Sequence, residues 1–245
     1  MQKSNKSMKE LNMKHGLKDG LPIGLGYLSV SFAFGVQASM LGIPVFMSVF
    51  ISMTNLTSAG QLAGLTVIAS LGTILEMILT QLVINARYFL MSITVSQKLG
   101  KEFNLAHRFL ASAFITDEIF AIASAKPSQL NKKYYYGLVI LPYIGWTLGT
   151  LLGALAGDVL PSQITNALGI ALYAMFIAII IPPSIKSIGV LFAVILSAGI
   201  SCAMFYIPVF SKISSGLAVI ISAIIASAVI ALLFPVKTQE EEEQL

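Results

Sequence analysis

Two acidic residues, Asp117 and Glu118, lie side by side in the otherwise apolar stretch FITDEIFAIA. An ionised carboxylate inside a bilayer costs at least about 2.5 kcal/mol, so such a pair should be rare without compensation. Three interpretations are open: the acids line a watery cavity that binds substrate or protons, they neutralise a buried cation, or they lie in a surface turn. Thr116 could cap a half-helix that starts here, with both acids at the end that the helix dipole favours. Adjacent helix positions point about 100° apart, so one pocket would not use both acids equally.

Arg87 is the cationic residue best suited to meet these acids. It lies in the apolar stretch QLVINARYFLM, two positions after Asn85. Its guanidinium has five fixed donors and binds carboxylates bidentately, so it could bind Asp117 or Glu118 or recruit the carboxylate of an amino acid. The alternative is that Arg87 extends to lipid headgroups. Glu76, eleven residues earlier, could face the same side of a continuous helix and is a lesser candidate.

A polar stretch, TNLTSAGQ at residues 54–61, ends in Gln61 and interrupts a long apolar block. It supplies hydroxyls, an amide and small residues at which a helix can unwind. Transporters build binding sites from such interrupted helices, whose free N–H and C=O groups meet the charged ends of substrates. Helix packing by Ser, Thr and Gly is the alternative.

The composition indicates that these residues lie in a membrane. Of 245 residues, 56% are hydrophobic and 11% are charged, against about 25% charged in soluble domains. The apolar blocks are long enough to cross roughly 30 Å of hydrocarbon, where helices pair every backbone group internally. We therefore predict an all-α, polytopic transmembrane helix bundle with about six to eight membrane segments, including discontinuous or re-entrant helices.

The chain divides into a basic cytoplasmic N-terminal tail (1–19), a transmembrane transporter domain (20–235) and an acidic C-terminal tail (236–245). Apolar segments fall near 21–40, 45–97, 109–125, 134–157, 163–181, 187–207 and 214–234. The second segment would reach roughly 80 Å as one helix, so it must fold back or break. The pair Pro182 and Pro183 is expected to end a span.

Basic residues give a test of topology, because Lys and Arg collect on the cytoplasmic side. Two basic trios flank segment 109–125, namely Lys98, Lys101 and Arg108 before it and Lys126, Lys132 and Lys133 after it. In a first scheme, segment 109–125 enters the membrane and returns to the same side, while 45–97 crosses once. Both trios are then cytoplasmic, and among the Lys and Arg residues other than Arg87 only Lys212 lies on the outer side. An eight-span alternative leaves the first trio and Lys212 outside. Both schemes put both termini in the cytoplasm.

The segment 134–157 carries a stripe of small residues that permits close helix packing, and packing alone is the favoured interpretation. The stripe is formed by Gly145, Gly149, Gly153 and Gly157. Trp146 and Tyr143 suit membrane-interface anchors. Pro22 and Pro142 each follow a leucine at the opening of a Gly-containing span, a pattern compatible with an internal inverted repeat.

Several chemistries are disfavoured by the composition. Cys202 is the single cysteine, so neither a disulfide frame nor a thiolate metal site is expected. His15 and His107 lie in polar flanks and form no pair at helical spacing to hold zinc. The basic residues are scattered over loops, which argues against nucleic-acid binding. We expect no enzyme activity, no catalytic residue, no cofactor and no metal.

The order of these motifs resembles the AzlC-type branched-chain amino acid permeases. The matching elements are G-L-P-I-G at 20–24, F-G at 34–35, the polar stretch ending in Gln61, N-x-R at 85–87, T-D-E at 116–118, and G-W followed by L-G-x-L-x-G-A from 148. The resemblance covers roughly residues 18–210. N-x-R and T-D-E, in this order and about 30 residues apart, are its most specific part.

The resemblance implies export of valine, leucine, isoleucine and their analogues across a bacterial cell membrane. It also implies a second, small hydrophobic subunit of the AzlD type. By position, the substrate-binding residues would be Gln61, Asn85, Arg87, Asp117 and Glu118. The family tends to show A-G-x-x-Q, whereas here Gly60 directly precedes the glutamine, so the hinge geometry departs from the family pattern.

The expected mechanism is alternating access without a covalent step. Arg87, assisted by Asn85, would receive the substrate carboxylate, while Asp117 or Glu118 would receive the ammonium group or carry a coupling proton. A passive channel for small amphipathic solutes is one alternative. A membrane subunit energised by a separate ATPase is another, since the chain has no G-x-x-x-x-G-K-[ST] motif.

Overall fold

A computed structural model describes residues 11–126, 129–157, 159–210 and 213–234. The helices in these ranges are α1 (Met13–Met40), α2 (Val45–Thr54), α3 (Ala59–Ala69), α4 (Ile74–Lys98), α5 (Leu105–Ser112), α6 (Asp117–Ala125), α7 (Lys132–Gly157), α8 (Ser162–Lys186), α9 (Ile188–Tyr206) and α10 (Ser215–Leu233). A 3-10 turn spans Pro208–Phe210. The acidic tail, the first ten residues and Lys212 lie outside the described ranges. The predicted all-α class is confirmed.

Five helices in the described part of the chain are long and apolar enough to cross a membrane. They are α1, α4, α7, α9 and α10, the last from Gly216. The 25-residue helix α8 also has sufficient length. In contrast, α2 and α3, with 10 and 11 residues, each reach only about 15 Å, or half of the hydrocarbon core. The prediction of a polytopic bundle with discontinuous helices is therefore confirmed.

The contacts divide the chain into two compact units. Unit 1 contains Met1–Leu65 and Asn85–Leu172, and unit 2 contains Thr66–Ile84 and Tyr173–Leu245. Unit 1 holds all five predicted substrate-binding residues.

Helices α1 and α7 form the centre of unit 1 and pack with their backbones in contact. A Cβ at Gly24 would lie 2.7 Å from the carbonyl oxygen of Leu141, and a Cβ at Gly157 would lie 2.6 Å from Cβ of Ser39. The glycine stripe is thus a packing surface, as predicted. Contacts advance along both helices together, so α1 and α7 run parallel. The inverted repeat is wrong for these two spans, because inversion would make equivalent helices antiparallel.

The first helix begins earlier than the sequence segments indicate. Asn12 caps α1, since its side chain accepts a hydrogen bond from the N–H of His15 at 3.0 Å. Asp19 then accepts bonds from the Tyr134 hydroxyl at 2.6 Å and from Lys126 Nζ at 2.7 Å. Residues 13–19 are therefore part of a packed helix rather than of the predicted tail, because Gly16 packs on the backbone of α7 and Asp19 is bound within unit 1.

The prediction that Pro182 and Pro183 end a span is wrong by a few residues. Both prolines lie inside α8, which continues to Lys186. The helix ends there because Ser187 adopts an extended conformation and caps α9, accepting a hydrogen bond from the N–H of Val190 at 3.4 Å.

Helices α2 and α3 form a short helical hairpin that enters unit 1 from the end at which α1 finishes. The N–H of Ile43 donates to the carbonyl of Ala38 at 3.0 Å, which anchors the start of the hairpin. After the break at residues 55–58, the chain turns back, and Leu65 joins the apolar cluster formed with Phe34 and Ala38. The predicted break in TNLTSAGQ is confirmed, with Ser58 in the left-handed region at φ 38°.

Helices α5 and α6 form a second hairpin that enters unit 1 from the opposite end. Its two ends are joined, because the N–H of Gly100 donates to Leu130 at 2.9 Å and the N–H of Leu130 donates to Lys98 at 2.8 Å. Its tip reaches Tyr143, whose ring centroid lies 5.3 Å from that of Phe114.

The segment 109–125 therefore returns to the end from which it started. Both basic trios lie around this same end, as the re-entrant scheme requires. The eight-span alternative is wrong for this segment, because a crossing would separate Lys98 from Leu130.

Candidate functional site

The tip of the second hairpin is the start of α6. Thr116 caps this helix, with its side chain accepting a hydrogen bond from the N–H of Ile119 at 3.3 Å. Asp117 and Glu118 occupy the first turn, where exposed N–H groups and the helix dipole favour negative charge. The predicted half-helix is confirmed, and its two acids bind different partners.

Asp117 forms an ion pair with Arg87 of α4. Arg87 Nη1 lies 2.8 Å from Asp117 Oδ2 and donates a hydrogen bond to Oδ1 at 3.0 Å. The second guanidinium nitrogen donates to the Tyr88 hydroxyl at 3.1 Å. The side chains of Arg87 and Asp117 are 39% and 38% exposed, so the pair is not sealed inside the unit. Arg87 is thus directed to the hairpin tip, as expected for a carboxylate-binding residue.

Glu118 and Thr116 both contact the hydroxyl of Tyr27 on α1. This hydroxyl donates to Glu118 Oε2, and its oxygen lies 2.6 Å from Thr116 Oγ1. A phenol has one proton, which the carboxylate accepts more strongly, so the Thr116 hydroxyl can donate to the Tyr27 oxygen. Tyr27 therefore links α1 to the tip of the second hairpin.

Gln61 holds the tip of the first hairpin against α7. Its amide donates to Ser52 Oγ at 2.8 Å and accepts from the indole N–H of Trp146 at 2.8 Å. Ser52 and Thr150 share a further hydrogen bond at 2.7 Å. Gln61 and Trp146 are 1% and 3% exposed, so this is a buried and mutually satisfied polar network.

Asn85 differs in placement from the other predicted residues. It lies two positions before Arg87 on the continuous helix α4, and side chains two positions apart do not face each other on a helix. The direct assistance of Asn85 to Arg87 is therefore not favoured by the helix geometry. Arg87, Asp117 and Glu118 meet at one hairpin tip, while Gln61 lies at the other.

Three aromatic residues of this region were not among the predicted site residues. Tyr27 and Tyr88 bind Glu118 and Arg87, and Trp146 binds Gln61. The interpretation of Trp146 as an interface anchor is wrong, because the side chain is buried and hydrogen-bonded inside unit 1. A tyrosine next to Arg87 and a tryptophan in the G-W motif were the available signals.

Glu76 is the lesser acidic candidate of the sequence. Its carboxylate belongs to unit 2 and accepts a hydrogen bond from the N–H of Gly216 at 3.1 Å. Among the described residues, no group of three or more His, Cys, Asp or Glu side chains could hold a metal ion.

Comparison with known proteins places these features in a family. The AzlC protein family matches residues 22–160, a region that contains both hairpins and the Arg87–Asp117 pair. An uncharacterized membrane protein of Archaeoglobus fulgidus is 32% identical over 71% of this chain and 77% of its own length. The inner membrane protein YgaZ of Escherichia coli is 29% identical over 68% of this chain and 71% of its own. No solved structure gives a significant match. The chain belongs to the AzlC family of membrane proteins.

Proposed function

We propose that this chain is a transporter that exports valine, leucine, isoleucine and close analogues across the bacterial cell membrane. The observation that carries the proposal is the ion pair between Arg87 and Asp117 at the start of a half-helix. An α-amino acid carries a carboxylate and an ammonium group close together. It can exchange with the pair, its carboxylate binding Arg87 and its ammonium binding Asp117 or Glu118.

The same exchange disfavours solutes of net charge. An anion that takes Arg87 leaves Asp117 without its partner, and a cation that takes Asp117 leaves Arg87 without its partner. Leaving either charged group without its partner costs free energy, because the remaining charge is no longer compensated. A zwitterion satisfies both groups at once, so it is the class of solute that this site fits best.

The substrate side chain would meet apolar and aromatic surfaces near the hairpin tips. Phe114 and Tyr143 form an edge-to-face pair there. Such a surface accepts a branched aliphatic chain but discriminates weakly, because one methylene is worth only about 1–3 kcal/mol. We therefore infer overlapping recognition of the three branched-chain amino acids.

We infer alternating access, and the two hairpins that enter unit 1 from opposite ends support it. Movement of α5 and α6 would open the site to one side, and movement of α2 and α3 would open it to the other. Half-helix ends of this kind expose the N–H and C=O groups that bind charged substrates. We infer that Asp117 or Glu118 exchanges its partner during this cycle and can carry a coupling proton.

The membrane arrangement and the partner are also proposals. The two basic trios at one end of unit 1 favour the cytoplasm for that end, and we propose that both termini are cytoplasmic as well. The Escherichia coli relative is named an inner membrane protein, which supports a cell-membrane location. A small hydrophobic subunit of the AzlD type would complete the permease, and co-purification of the two chains tests this.

A flux experiment tests the proposed function. The chain and its small subunit are reconstituted in liposomes, and efflux of labelled valine is measured with and without a pH gradient. We expect saturable efflux that the gradient accelerates. Efflux that rises linearly with valine concentration and does not change with the pH gradient would identify a passive facilitator. Efflux that requires an added ATPase would identify the ATP-driven alternative.

The matched variants use two ion pairs of similar geometry. Arg87→Gln with Asp117→Asn removes the pair at the hairpin tip, and Asp19→Asn with Lys126→Gln removes the pair at the hairpin base, whose N–O distance is 2.7 Å. We expect the first double variant to abolish efflux and the second to retain it.

A further inference from the structure

Tyr88 of α4 contacts the guanidinium of Arg87 in two ways, and the proposed function gives this tyrosine no role. Its hydroxyl accepts a hydrogen bond from Arg87 Nη2 at 3.1 Å. Arg87 Cζ also lies over the Tyr88 ring, 4.9 Å from the ring centroid, which is within the distance of a cation–π contact. Tyr88 is partly buried and packs against the apolar cluster of unit 1. Its hydroxyl is therefore held beside the group that would bind the substrate carboxylate.

Asp117 and Tyr88 contact different nitrogens of Arg87. Both carboxylate oxygens of Asp117 lie near Nη1, at 2.8 and 3.0 Å, whereas Nη2 donates to Tyr88. A guanidinium binds a carboxylate most strongly through two parallel N–H···O bonds from two nitrogens. A substrate carboxylate that spans Nη1 and Nη2 gains this geometry, and it then lies beside the Tyr88 hydroxyl.

The hydroxyl of a tyrosine can both accept and donate a hydrogen bond, whereas an ionised carboxylate only accepts. While Asp117 binds Arg87, the Tyr88 oxygen accepts from Nη2, and this bond does not use the hydroxyl proton. When a carboxylate arrives at Nη2, rotation of the hydroxyl lets Tyr88 donate this proton to it. A bond from a hydroxyl to a carboxylate is charge-assisted and stronger than a bond between neutral groups.

We propose that Tyr88 is a further substrate-binding residue, whose hydroxyl accepts from Arg87 in the empty site and donates to the substrate carboxylate in the occupied site. This inference rests on the proposed function, because it requires a substrate carboxylate at Arg87. It adds a source of specificity to that function. A ligand without a carboxylate leaves the hydroxyl in its bond with Arg87 and gains nothing from Tyr88.

Binding of labelled valine to the purified full chain tests the role of the hydroxyl. Tyr88→Phe removes the hydroxyl and keeps the ring and its cation–π contact. One hydrogen bond to a charged group changes affinity by about 10- to 100-fold. Because the empty site also loses its bond to Arg87, we expect the lower end of this range, about 10-fold weaker valine binding.

Two controls separate this effect from a loss of packing. Tyr136→Phe also removes a hydrogen-bonded hydroxyl of unit 1, which lies 2.7 Å from His107 Nδ1, and it should retain the valine affinity of the wild type. Isobutylamine, which is valine without its carboxylate, should compete equally in the wild type and in Tyr88→Phe. A packing defect would instead weaken both ligands.

3-Fluorotyrosine at position 88 distinguishes donation to the substrate from a bond that is kept with Arg87 throughout. Fluorine makes the phenol a stronger donor and a weaker acceptor. It therefore weakens the bond of the empty site and strengthens the bond of the occupied site, so we expect tighter valine binding than in the wild type. Binding is measured at about pH 6, where a phenol keeps its proton.

Failure of this inference and failure of the proposed function give different results. A wild type that does not bind valine would contradict the proposed function and this inference with it. Three results in a wild type that binds valine would overturn this inference alone. They are an affinity that Tyr88→Phe weakens no more than Tyr136→Phe does, equal weakening of valine and isobutylamine, and a fluorinated variant that binds valine no more tightly than the wild type.

Discussion

Tyr27 of α1 and Trp146 of α7 meet edge to face, with ring centroids 5.1 Å apart. Each ring carries a polar atom that binds the tip of a different hairpin. The Tyr27 hydroxyl binds Glu118, and the Trp146 indole binds Gln61. The two hairpin tips are therefore connected through an aromatic contact between α1 and α7.

Tyr27→Phe should impair transport more than stability. The ring and its contact with Trp146 remain, while Glu118 and Thr116 lose a hydrogen-bond partner. Loss of a hydrogen bond to a charged group is worth about 1.5–3 kcal/mol, so we expect valine efflux to fall about 10- to 100-fold. Efflux from liposomes and the midpoint of thermal unfolding are the two measurements. Unchanged efflux would mean that Tyr27 only fills space.

Gln61→Leu should destabilise unit 1, because it leaves the indole N–H of Trp146 without a buried partner and removes one of the two hydrogen bonds of the Ser52 hydroxyl. We expect a loss of about 1–3 kcal/mol in the free energy of unfolding. Adding Trp146→Phe removes the indole N–H that Gln61→Leu leaves without an acceptor. The double variant should therefore lose less free energy of unfolding than the sum of the two single variants. Strict additivity in denaturant unfolding would contradict the network.

Gly153→Ala should prevent the close packing of α1 and α7, because its Cβ would overlap the carbonyl of Phe32. The matched control is Gly26→Ala, where an added Cβ meets nothing within 4 Å. The control should be neutral or stabilising by up to about 1 kcal/mol. Yield of monodisperse protein in detergent and thermal unfolding distinguish the two variants. Equal behaviour would show that the two helices are not in backbone contact.

Labelling of single cysteines tests the topology of the second hairpin. In a Cys202→Ser background, Lys101→Cys and Gln129→Cys should react with an impermeant maleimide from the same side of the membrane, because Gly100 is bonded to Leu130. Met40→Cys, at the far end of α1, should react from the opposite side. Reaction of positions 101 and 129 from opposite sides would contradict the re-entrant hairpin.

Local sequence features predicted the helices better than they predicted which side chains bind each other. The start of α6 could be predicted, since Thr116 followed by two acids is a short-range capping signal. The partner of Glu118 could not, because Tyr27 lies 91 residues away and no local pattern marks it. The start of α1 was missed because residues 13–19 are mostly polar, and neither the Asn12 cap nor the packing of Gly16 on α7 stands out in the sequence.

In the candidate site, too, the residue types could be predicted from the sequence better than their positions in the fold. The types of Arg87 and Asp117 made an ion pair one of several open interpretations, and the structure pairs them. The motif grouped Gln61 with these residues, but the fold holds it at the other hairpin tip through Trp146. A motif records which residues occur together in sequence, whereas the separation of the two tips depends on how the hairpins enter unit 1.

The exchange of a zwitterion with the Arg87–Asp117 pair is tested most directly by ligand competition. Binding of labelled valine to the purified chain is measured against unlabelled valine, valinamide, which lacks the carboxylate, and isovalerate, which lacks the ammonium group. We predict that both analogues compete about 10- to 100-fold more weakly than valine, since each loses a charged hydrogen bond. We also predict that Arg87→Gln with Asp117→Asn loses valine binding, while Asp19→Asn with Lys126→Gln retains it. Competition by either analogue at the strength of valine, or valine binding that survives the removal of the Arg87–Asp117 pair, would contradict the account.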